Sequence, residues 1–477
     1  MEEKPVVDIE NVMDRAVCAG AIFSAYTQEQ TDRIVRAVYK AGFNNRIKLA
    51  KLAAEETGIG NWQDKVIKNV VATQLVYEDI RHLRTVGIIS EDEESGIIEI
   101  AQPLGPIFAI TPVTNPTSTV MFKILSALKT RNPIIIKPHS SAVKCSSEAA
   151  RICYDAAMKE DAPEDCIQWL ESTSREQTQQ LMSHKKLALI LATGGGALVN
   201  AAYSSGTPAM GVGAGNVPVF IEQSADIPFA VEQIMMSKVF DHGTICASEQ
   251  SIVVEKCKEQ ELLDELKKQK AYILSCDETK KVEKIAFDIE KGIMNTHIIG
   301  KPAIRLAELS GISVPQDTRL LIAPLKGIGK EYPLSAEILA PVIAFYSADS
   351  FQHAVNLCID LNFYGGMGHT VSLFSNDEEK IKKFSLVMNA GRIVVNMPAS
   401  QGAVGGIFNT LHTSFTLGCG TGGKNITTDN VTARHLLNIQ RICRRRMNER
   451  FVRFDKSLYF DESADADLIE KKYDRNM

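Results

Sequence analysis

Ten cysteines are scattered along 477 residues, and one of them stands apart by its surroundings. Cys246 lies in FDHGTICASEQ (240–250), among small and polar residues, directly before the apolar run SIVV. A cysteine in such a loop can act as a nucleophile where its environment favours the thiolate. The other nine, at 18, 145, 153, 166, 257, 276, 358, 419 and 443, form no CxxC pair, so no zinc ribbon, dithiol redox motif or other metal site is expected. Cys153 in RICYDAA and Cys358 in VNLCIDL follow helical apolar patterns and read as core. Cys419, between two glycines in TLGCGTGG, is the one rival by context.

Four further loops could carry chemistry. ITPVTNPTS (110–118) is fixed by two prolines, and Thr117 or Ser118 could cap the following helix. Asn115 would then stand near a helix N-terminus, where its amide could hold an oxyanion or simply close an Asx-turn. LATGGGALV (191–199) places Gly194, Gly195 and Gly196 between an apolar strand and a helix. Backbone N–H groups could approach a phosphate there, although the classical dinucleotide spacing is absent. GVGAGNVP (211–218) allows close approach by a ligand or by another loop. In EILAPV (337–342) Glu337 could accept hydrogen bonds from ribose hydroxyls, but read by itself it is a solvated charge. His139, His242 and His369 stand in loop contexts and singly read as structural or surface residues. No Ser-His-Asp order, HExxH or Walker A motif is present.

These loops must be positioned by the elements around them. Residues 8–80 read as helices, with Ile34, Val35, Val38 and Tyr39 forming an apolar stripe. Residues 84–103 read as two strands around a polar turn ending in Gly96, a hairpin able to leave the main body and pair with another subunit. Short apolar strands then alternate with helices: PIFAI, NPIIIKP, CIQWLE, LALILAT and PVFIE (218–222). Fully apolar strands alternating with helices predict a parallel sheet covered on both faces. The alternation restarts after Cys246 with SIVVE, AYILS, LLIAP, VIAFY, TVSLF and RIVVN, which predicts a second α/β domain. In such sheets, ligands bind beyond the carboxyl ends of the strands.

Composition narrows the function classes. Apolar residues make up 45% and charged residues 23%, ordinary for a globular chain, and the net charge of −5 implies no nucleic-acid partner. The acidic start MEEKPVVDIENVMDRA has no apolar segment of a secretory signal, and no run is long enough to span a membrane. The last 35 residues begin basic, at Arg444 to Arg446, and end acidic, like an arm or tail.

Taken in order, these motifs resemble the aldehyde dehydrogenase superfamily, and within it the CoA-acylating branch. The likeness rests on YTQEQTDRIVRA (26–37), QDKVIKNVVATQLVY (63–77), TNPTST (114–119), LATGGGALVNAAYSSG (191–206), GVGAGNVP, FDHGTICASEQSIVV, EILAPV, GHT (368–370), PASQG (398–402) and TLGCGTGG (416–423). The resemblance implies two Rossmann-like doubly wound domains with a protruding β-hairpin oligomerisation arm. It divides the chain into an NAD-binding domain (1–240, hairpin included), a catalytic domain (241–420) and a return segment with an oligomerisation or targeting tail (421–477). It makes Cys246 the nucleophile, Asn115 the oxyanion-hole residue and His369 a candidate acid/base. It places Ile110, Thr111, Pro112, Val113, Thr114, Thr193, Gly194, Gly195, Gly213, Glu337 and Leu417 around the cofactor, with Lys137 near its ribose.

The branch is indicated by a missing group. Hydrolytic members carry a glutamate base in an E-L-G-G-K segment, where this chain has V-G-A-G-N with Val212 at the base position. A thiol acceptor, with a pKa of about 8.5, needs less help from a base than water does. The resemblance therefore implies NAD as cofactor and coenzyme A as co-substrate. A short aldehyde, acetaldehyde or propionaldehyde, would be converted reversibly to acyl-CoA. Succinate semialdehyde as substrate, or an acyl-phosphate reductase of the same fold, are the alternatives. Bifunctional relatives continue into an iron-dependent alcohol dehydrogenase. A chain ending at Met477 is expected to work with a partner alcohol dehydrogenase, as a homodimer or homotetramer in the cytoplasm or inside a bacterial microcompartment shell.

Overall fold

The computed structural model describes residues 7–288 and 292–475, so the first six residues of the acidic N-terminal stretch lie outside it. The chain divides into two units, residues 1–83 with 103–437, and residues 84–102 with 438–477.

The first unit opens with helices α1 (Ile9–Ser24), α2 (Gln28–Asn44), α3 (Arg46–Thr57) and α4 (Trp62–Val70). Thr27 starts α2 with a capping box completed by Gln30, and Asn61 caps α4 by accepting the Asp64 N–H at 2.9 Å. A single π turn, Val71–Leu75, joins α4 to α5 (Val76–Ile80). Two parallel sheets follow. To number strands along the whole chain, β1 (Gly87–Asp92) and β2 (Ile97–Pro103) are the hairpin. The first sheet holds β3 (Ile107–Ile110), β4 (Ile134–Lys137), β5 (Ile167–Trp169), β6 (Leu189–Thr193) and β7 (Ala209–Val212), in the order β5-β4-β3-β6-β7. The second holds β8 (Val217–Ile221), β9 (Glu249–Glu255), β10 (Ala271–Ile273) and four later strands. Residues Phe287–Asp288 and Ile293–Met294 form a separate two-stranded ribbon.

Period-two burial shows why both sheets are sandwiched. Ile107, Ala109, Ile134 and Ile136 enter one core, while Phe108, Ile110 and Ile135 enter another on the opposite face. In the second sheet Val219, Ile221, Ile252 and Val254 face one way, and Phe220 and Val253 the other. Cys153 and Cys358 are fully buried in these cores.

Helix α6 (Pro116–Lys129) is buried over its whole length. Its Lys123 ammonium donates to the Ile110 carbonyl at 2.7 Å and the Leu191 carbonyl at 2.8 Å, which ties the ends of β3 and β6 to the helix. Burial lowers the Lys123 pKa to about 7.

The pattern reading and the structure part at three places. AMGV, inside the glycine-rich run, is a strand, although glycines on either side mask its apolar signal. The strand at 218–222, grouped with the first sheet by sequence order, pairs with β9 in the second. Residues 213–216 therefore carry the chain from one sheet to the other. Helix α6 has its N-cap at Asn115, two residues before the nearer of the expected caps, with Pro116 at the first position, so neither Thr117 nor Ser118 is the cap.

The second unit contains the hairpin and the tail. β1 and β2 pair antiparallel with an irregularity between Ile88 and Ser90, and β17 (Leu437–Cys443, the last strand) completes a three-stranded sheet. In the tail Phe454 packs on Tyr459 and Tyr473, with ring centroids 5.1 and 5.3 Å apart, while Phe460 is 84% exposed. No described helix is long and apolar enough to cross a membrane.

Candidate functional site

Cys246 is half-buried in the turn that leads into β9. The chain reaches it through three successive residues in the left-handed region, Asp241 (φ 45°), His242 (φ 53°) and Gly243 (φ 75°). A Cβ on Gly243 would stand 2.9 Å from the Ala340 carbonyl, so that position takes glycine. The two non-glycine residues are held by their side chains. The Asp241 carboxylate accepts from the Asn61 N–H (2.8 Å), Lys65 (2.9 Å), Lys68 (2.5 Å) and the Thr244 hydroxyl (2.9 Å). His242 shares a 2.9 Å hydrogen bond with the Gly300 carbonyl. Left-handed non-glycine residues persist only where such contacts over-determine them, at about 1–3 kcal/mol each.

Gly215 joins the parts of the site. A Cβ there would lie 2.3 Å from the Cys246 carbonyl oxygen and 3.2 Å from the His369 ring, and its N–H donates to Glu337 Oε1 at 2.9 Å. Cys246, His369 and Glu337, far apart in sequence, thus converge on one residue without a side chain. His369 is fully buried; its Nδ1 shares a 3.0 Å hydrogen bond with the Thr370 hydroxyl, while Nε2 is buried with no partner. Burial, aided by nearby Arg392, lowers the His369 pKa to about 3, so the ring is neutral. Burial raises Glu337 to about 7. Read from sequence as a solvated charge when taken singly, Glu337 is instead half-buried, and its charge acts on the thiol. Burial, then the charge of Glu337, raises the Cys246 thiol to about 12, with Arg392 pulling weakly the other way.

Asn115 reaches this assembly through Lys68 of α4. The Lys68 ammonium donates to Asn115 Oδ1 (2.6 Å), Asp241 (2.5 Å) and the Thr244 hydroxyl (2.8 Å). Asn115 Nδ2 donates to the Thr114 hydroxyl at 3.1 Å. Lys65 adds the Thr114 carbonyl at 3.3 Å. The two sequence neighbours of Cys246, Ile245 and Ala247, belong to an apolar cluster with Val212, Ala403 and Leu417, with Phe240 against it.

The remaining predicted positions line the ends of β3, β4 and β6. Ile110 and Thr111 are buried, and the Thr111 N–H donates to the Lys137 carbonyl at 3.1 Å. Pro112 is half-buried, and Val113 packs on Ala53, Ala142 and Cys145. Thr193 ends β6 with its hydroxyl oxygen buried and unpartnered. Gly195 caps α9 (Gly196–Tyr203), and added Cβ atoms at Gly195, Gly196 and Gly213 would meet nothing within 4 Å. An open turn at a helix N-terminus beside a free hydroxyl fits a dinucleotide pyrophosphate. Gly194 is tighter, with Leu198 2.9 Å from its added Cβ. His139 accepts from the Ser141 N–H and is exposed.

Cys419, the sequence rival, is buried, donates to the Leu417 carbonyl, and has its thiol raised to about 11 by burial. It shares a pocket of about 240 Å³ with Gly213, Ala214, Phe363, Met367 and Gly423. Arg392 clamps the carbonyls of His369 and Gly418 and the side chain of Asn430. Sequence reasoning missed Lys65, Lys68, Asp241, Gly215 and Arg392. The lysines of QDKVIKN carry no sequence signal of burial, and only their three-residue spacing gives them a shared direction.

The family model described as "Aldehyde dehydrogenase family" matches residues 1–283. The chain is 45% identical over 442 residues to an aldehyde-alcohol dehydrogenase of Clostridium acetobutylicum, covering 92% of this chain and 51% of that protein. It thus spans about half the length of the bifunctional curated relatives it matches. An acetylating aldehyde dehydrogenase from Geobacillus thermoglucosidasius superposes with a TM-score of 0.90 at 46% identity, covering 92% of this chain and 97% of that one. A Rhodopseudomonas palustris propionaldehyde dehydrogenase with bound propionyl-CoA gives 0.82 at 26% identity, covering 92% and 94%.

Proposed function

Because the chain belongs to the aldehyde dehydrogenase family, we propose that it is a CoA-acylating aldehyde dehydrogenase. It converts a short unsubstituted aldehyde such as acetaldehyde or propionaldehyde reversibly to its acyl-CoA, through an acyl-thioester on Cys246. The observation that carries the reading is the apolar wall beside the nucleophile. Val212 is 3% exposed and packs with Leu417 against Ile245 and Ala247, where a hydrolytic enzyme would need a carboxylate to activate water.

Cys246 Sγ bonds to the aldehyde carbon, its thiol proton passing to solvent water, and the carbonyl π pair moves onto oxygen. Asn115 Nδ2 and the Cys246 N–H hold that oxyanion. Hydride departs from the same carbon, and the carbonyl reforms as a thioester. NAD⁺, when bound, supplies the hydride acceptor and a cationic ring that favours the thiolate. Thr193, Gly194, Gly195 and the 110–114 loop would hold its phosphates, Lys137 and Glu337 its ribose, and Gly213 and Leu417 its reactive end. The CoA sulfur then attacks the thioester carbon, and the bond to Cys246 Sγ breaks. The CoA thiol proton passes to water, and His369, neutral with Nε2 unpartnered, accepts a hydrogen bond from the thiol. One thioester replaces another, so the step runs in either direction.

Two cations of the site bear on substrate class. Lys68 has three N–H donors and three acceptors, and Arg392 directs its five N–H groups to carbonyls and Asn430. Neither has a donor left for the carboxylate of a semialdehyde. The hairpin and tail belong to the same proposal as the surface for self-association or for docking in a microcompartment shell. Sedimentation of a chain lacking residues 448–477 tests the tail's share.

The deciding assay is NADH formation from propionaldehyde and NAD⁺, with and without CoA. Steady turnover with CoA and at most one equivalent without it is expected; steady turnover without CoA would make water a competent acceptor and overturn the reading.

A further inference from the structure

We propose that Lys68 is a positioning residue that fixes the Asn115 amide in the orientation needed to receive the oxyanion. The proposal rests on the nucleophilic role of Cys246 argued above. An ammonium donates hydrogen bonds and cannot accept them. With Lys68 Nζ 2.6 Å from the Asn115 side chain, the atom facing it must be Oδ1, and Nδ2 is turned the other way. One Nδ2 hydrogen is engaged by the Thr114 hydroxyl, which leaves the second for a ligand. Without the cation, the amide could rotate half a turn and present its oxygen, an acceptor, to the developing negative charge.

The lysine is itself immobilised. Lys68 is 3% exposed and Asp241 is fully buried, so the pair holds its geometry without competition from water. The third donor goes to Thr244, two residues before the nucleophile. One charged atom therefore references Asn115 to the same turn that carries Cys246. The left-handed backbone at Asp241 has a reason in this arrangement: it brings the carboxylate under both lysines. The Asn61 N–H and the close approach of Gly60, where any Cβ would meet Asp241 Oδ1 at 1.8 Å, hold it there.

The test is a double-mutant cycle on acylation of Cys246 by p-nitrophenyl acetate, read as the burst of p-nitrophenolate above a C246A blank. This step needs the nucleophile and the oxyanion donors but neither NAD⁺ nor CoA, so it reports on Lys68 even if the aldehyde assay fails. K68M should slow acylation by about 100-fold, with half-saturation by the ester within about threefold of wild type. N115A should slow it at least as much, and K68M/N115A should be no slower than N115A. Because K68M leaves a buried carboxylate with one cation fewer, K68M/D241N is measured beside it, with the thermal midpoint of each variant. Equal slowing in K68M and K68M/D241N supports the positioning role. Additive losses in K68M/N115A, or recovery of wild-type rates in K68M/D241N, would overturn it.

Discussion

The segment 240–247 faces two unlike neighbours. Asp241 and Thr244 sit in a lattice of buried charge with Lys65, Lys68 and Asn115. Ile245 and Ala247, interleaved with them, pack with Val212, Ala403 and Leu417, and Phe240 touches both sides, packed on that cluster with the Lys68 ammonium 5.8 Å from its ring centroid. The polar side holds donors where negative charge develops, while the apolar cluster puts a methyl-bearing side chain, Val212, at the position of the hydrolytic base. Each side limits what the other can do. A buried lysine–aspartate lattice is costly to break, about 3–5 kcal/mol when one partner is removed, so its geometry is fixed. The apolar side can be altered one methyl group at a time.

The sharpest way to break this contrast is to move the backbone between the two sides. Gly215 touches the Cys246 carbonyl and the His369 ring, so G215A must displace one of them. A misplacement of about 1 Å costs on the order of 100-fold in rate, and G215A is expected to lose at least that much kcat. G213A, two residues away with nothing within 4 Å of its added Cβ, should keep Cys246 acylation by p-nitrophenyl acetate, which needs no cofactor, within about twofold. Steady-state NADH kinetics of G215A, with ester acylation of Cys246 measured in both variants, provide the check. Comparable losses in both would mean that the loop matters for its flexibility rather than for contact at Gly215.

A smaller change tests the apolar side directly. V212E places a carboxyl among Leu417, Ile245 and Ala247. Burial there disfavours the anion and raises its pKa toward neutrality, where a general base is most useful. CoA-independent NADH production should become multi-turnover and should increase between pH 6 and 8, at roughly 2–4 kcal/mol of stability. A variant that folds, forms its acyl-enzyme and still releases a single equivalent of NADH would show that the apolar wall is not what excludes water.

Much of this was legible in the residues. Apolar runs gave both sheets because a strand buried on two faces has no polar alternation to blur it. Cys246 stood out because small and polar neighbours precede an apolar strand. β7 was hidden because glycines surround its four residues, and β8 was assigned to the wrong sheet because sequence order does not encode pairing. The lysine lattice was illegible for a different reason. Lys65 and Lys68 carry no sequence signal of burial until Asp241, more than 170 residues later, is placed between them. Gly215 could be seen as permissive, but only the fold shows what its missing side chain makes room for.

The mildest perturbation concerns the field at the thiol. With its pKa raised to about 12, Cys246 is protonated at every working pH when no ligand is bound. Its alkylation by iodoacetamide should therefore climb about tenfold per pH unit from 7 to 10 without a plateau. Peptide-resolved mass spectrometry separates it from exposed Cys18, Cys257, Cys276 and Cys443. Glu337, raised to about 7, is largely neutral below that pH and anionic above it, and an anion beside the thiol opposes its ionisation. E337Q removes that charge. It should match the wild type near pH 6 and react faster by about threefold above pH 8, equivalent to roughly half a pKa unit. A plateau near pH 8.5 in the wild type would mean an ordinary thiol, open to water on both sides. A lack of divergence between the two proteins would mean that the Glu337 charge does not reach the sulfur.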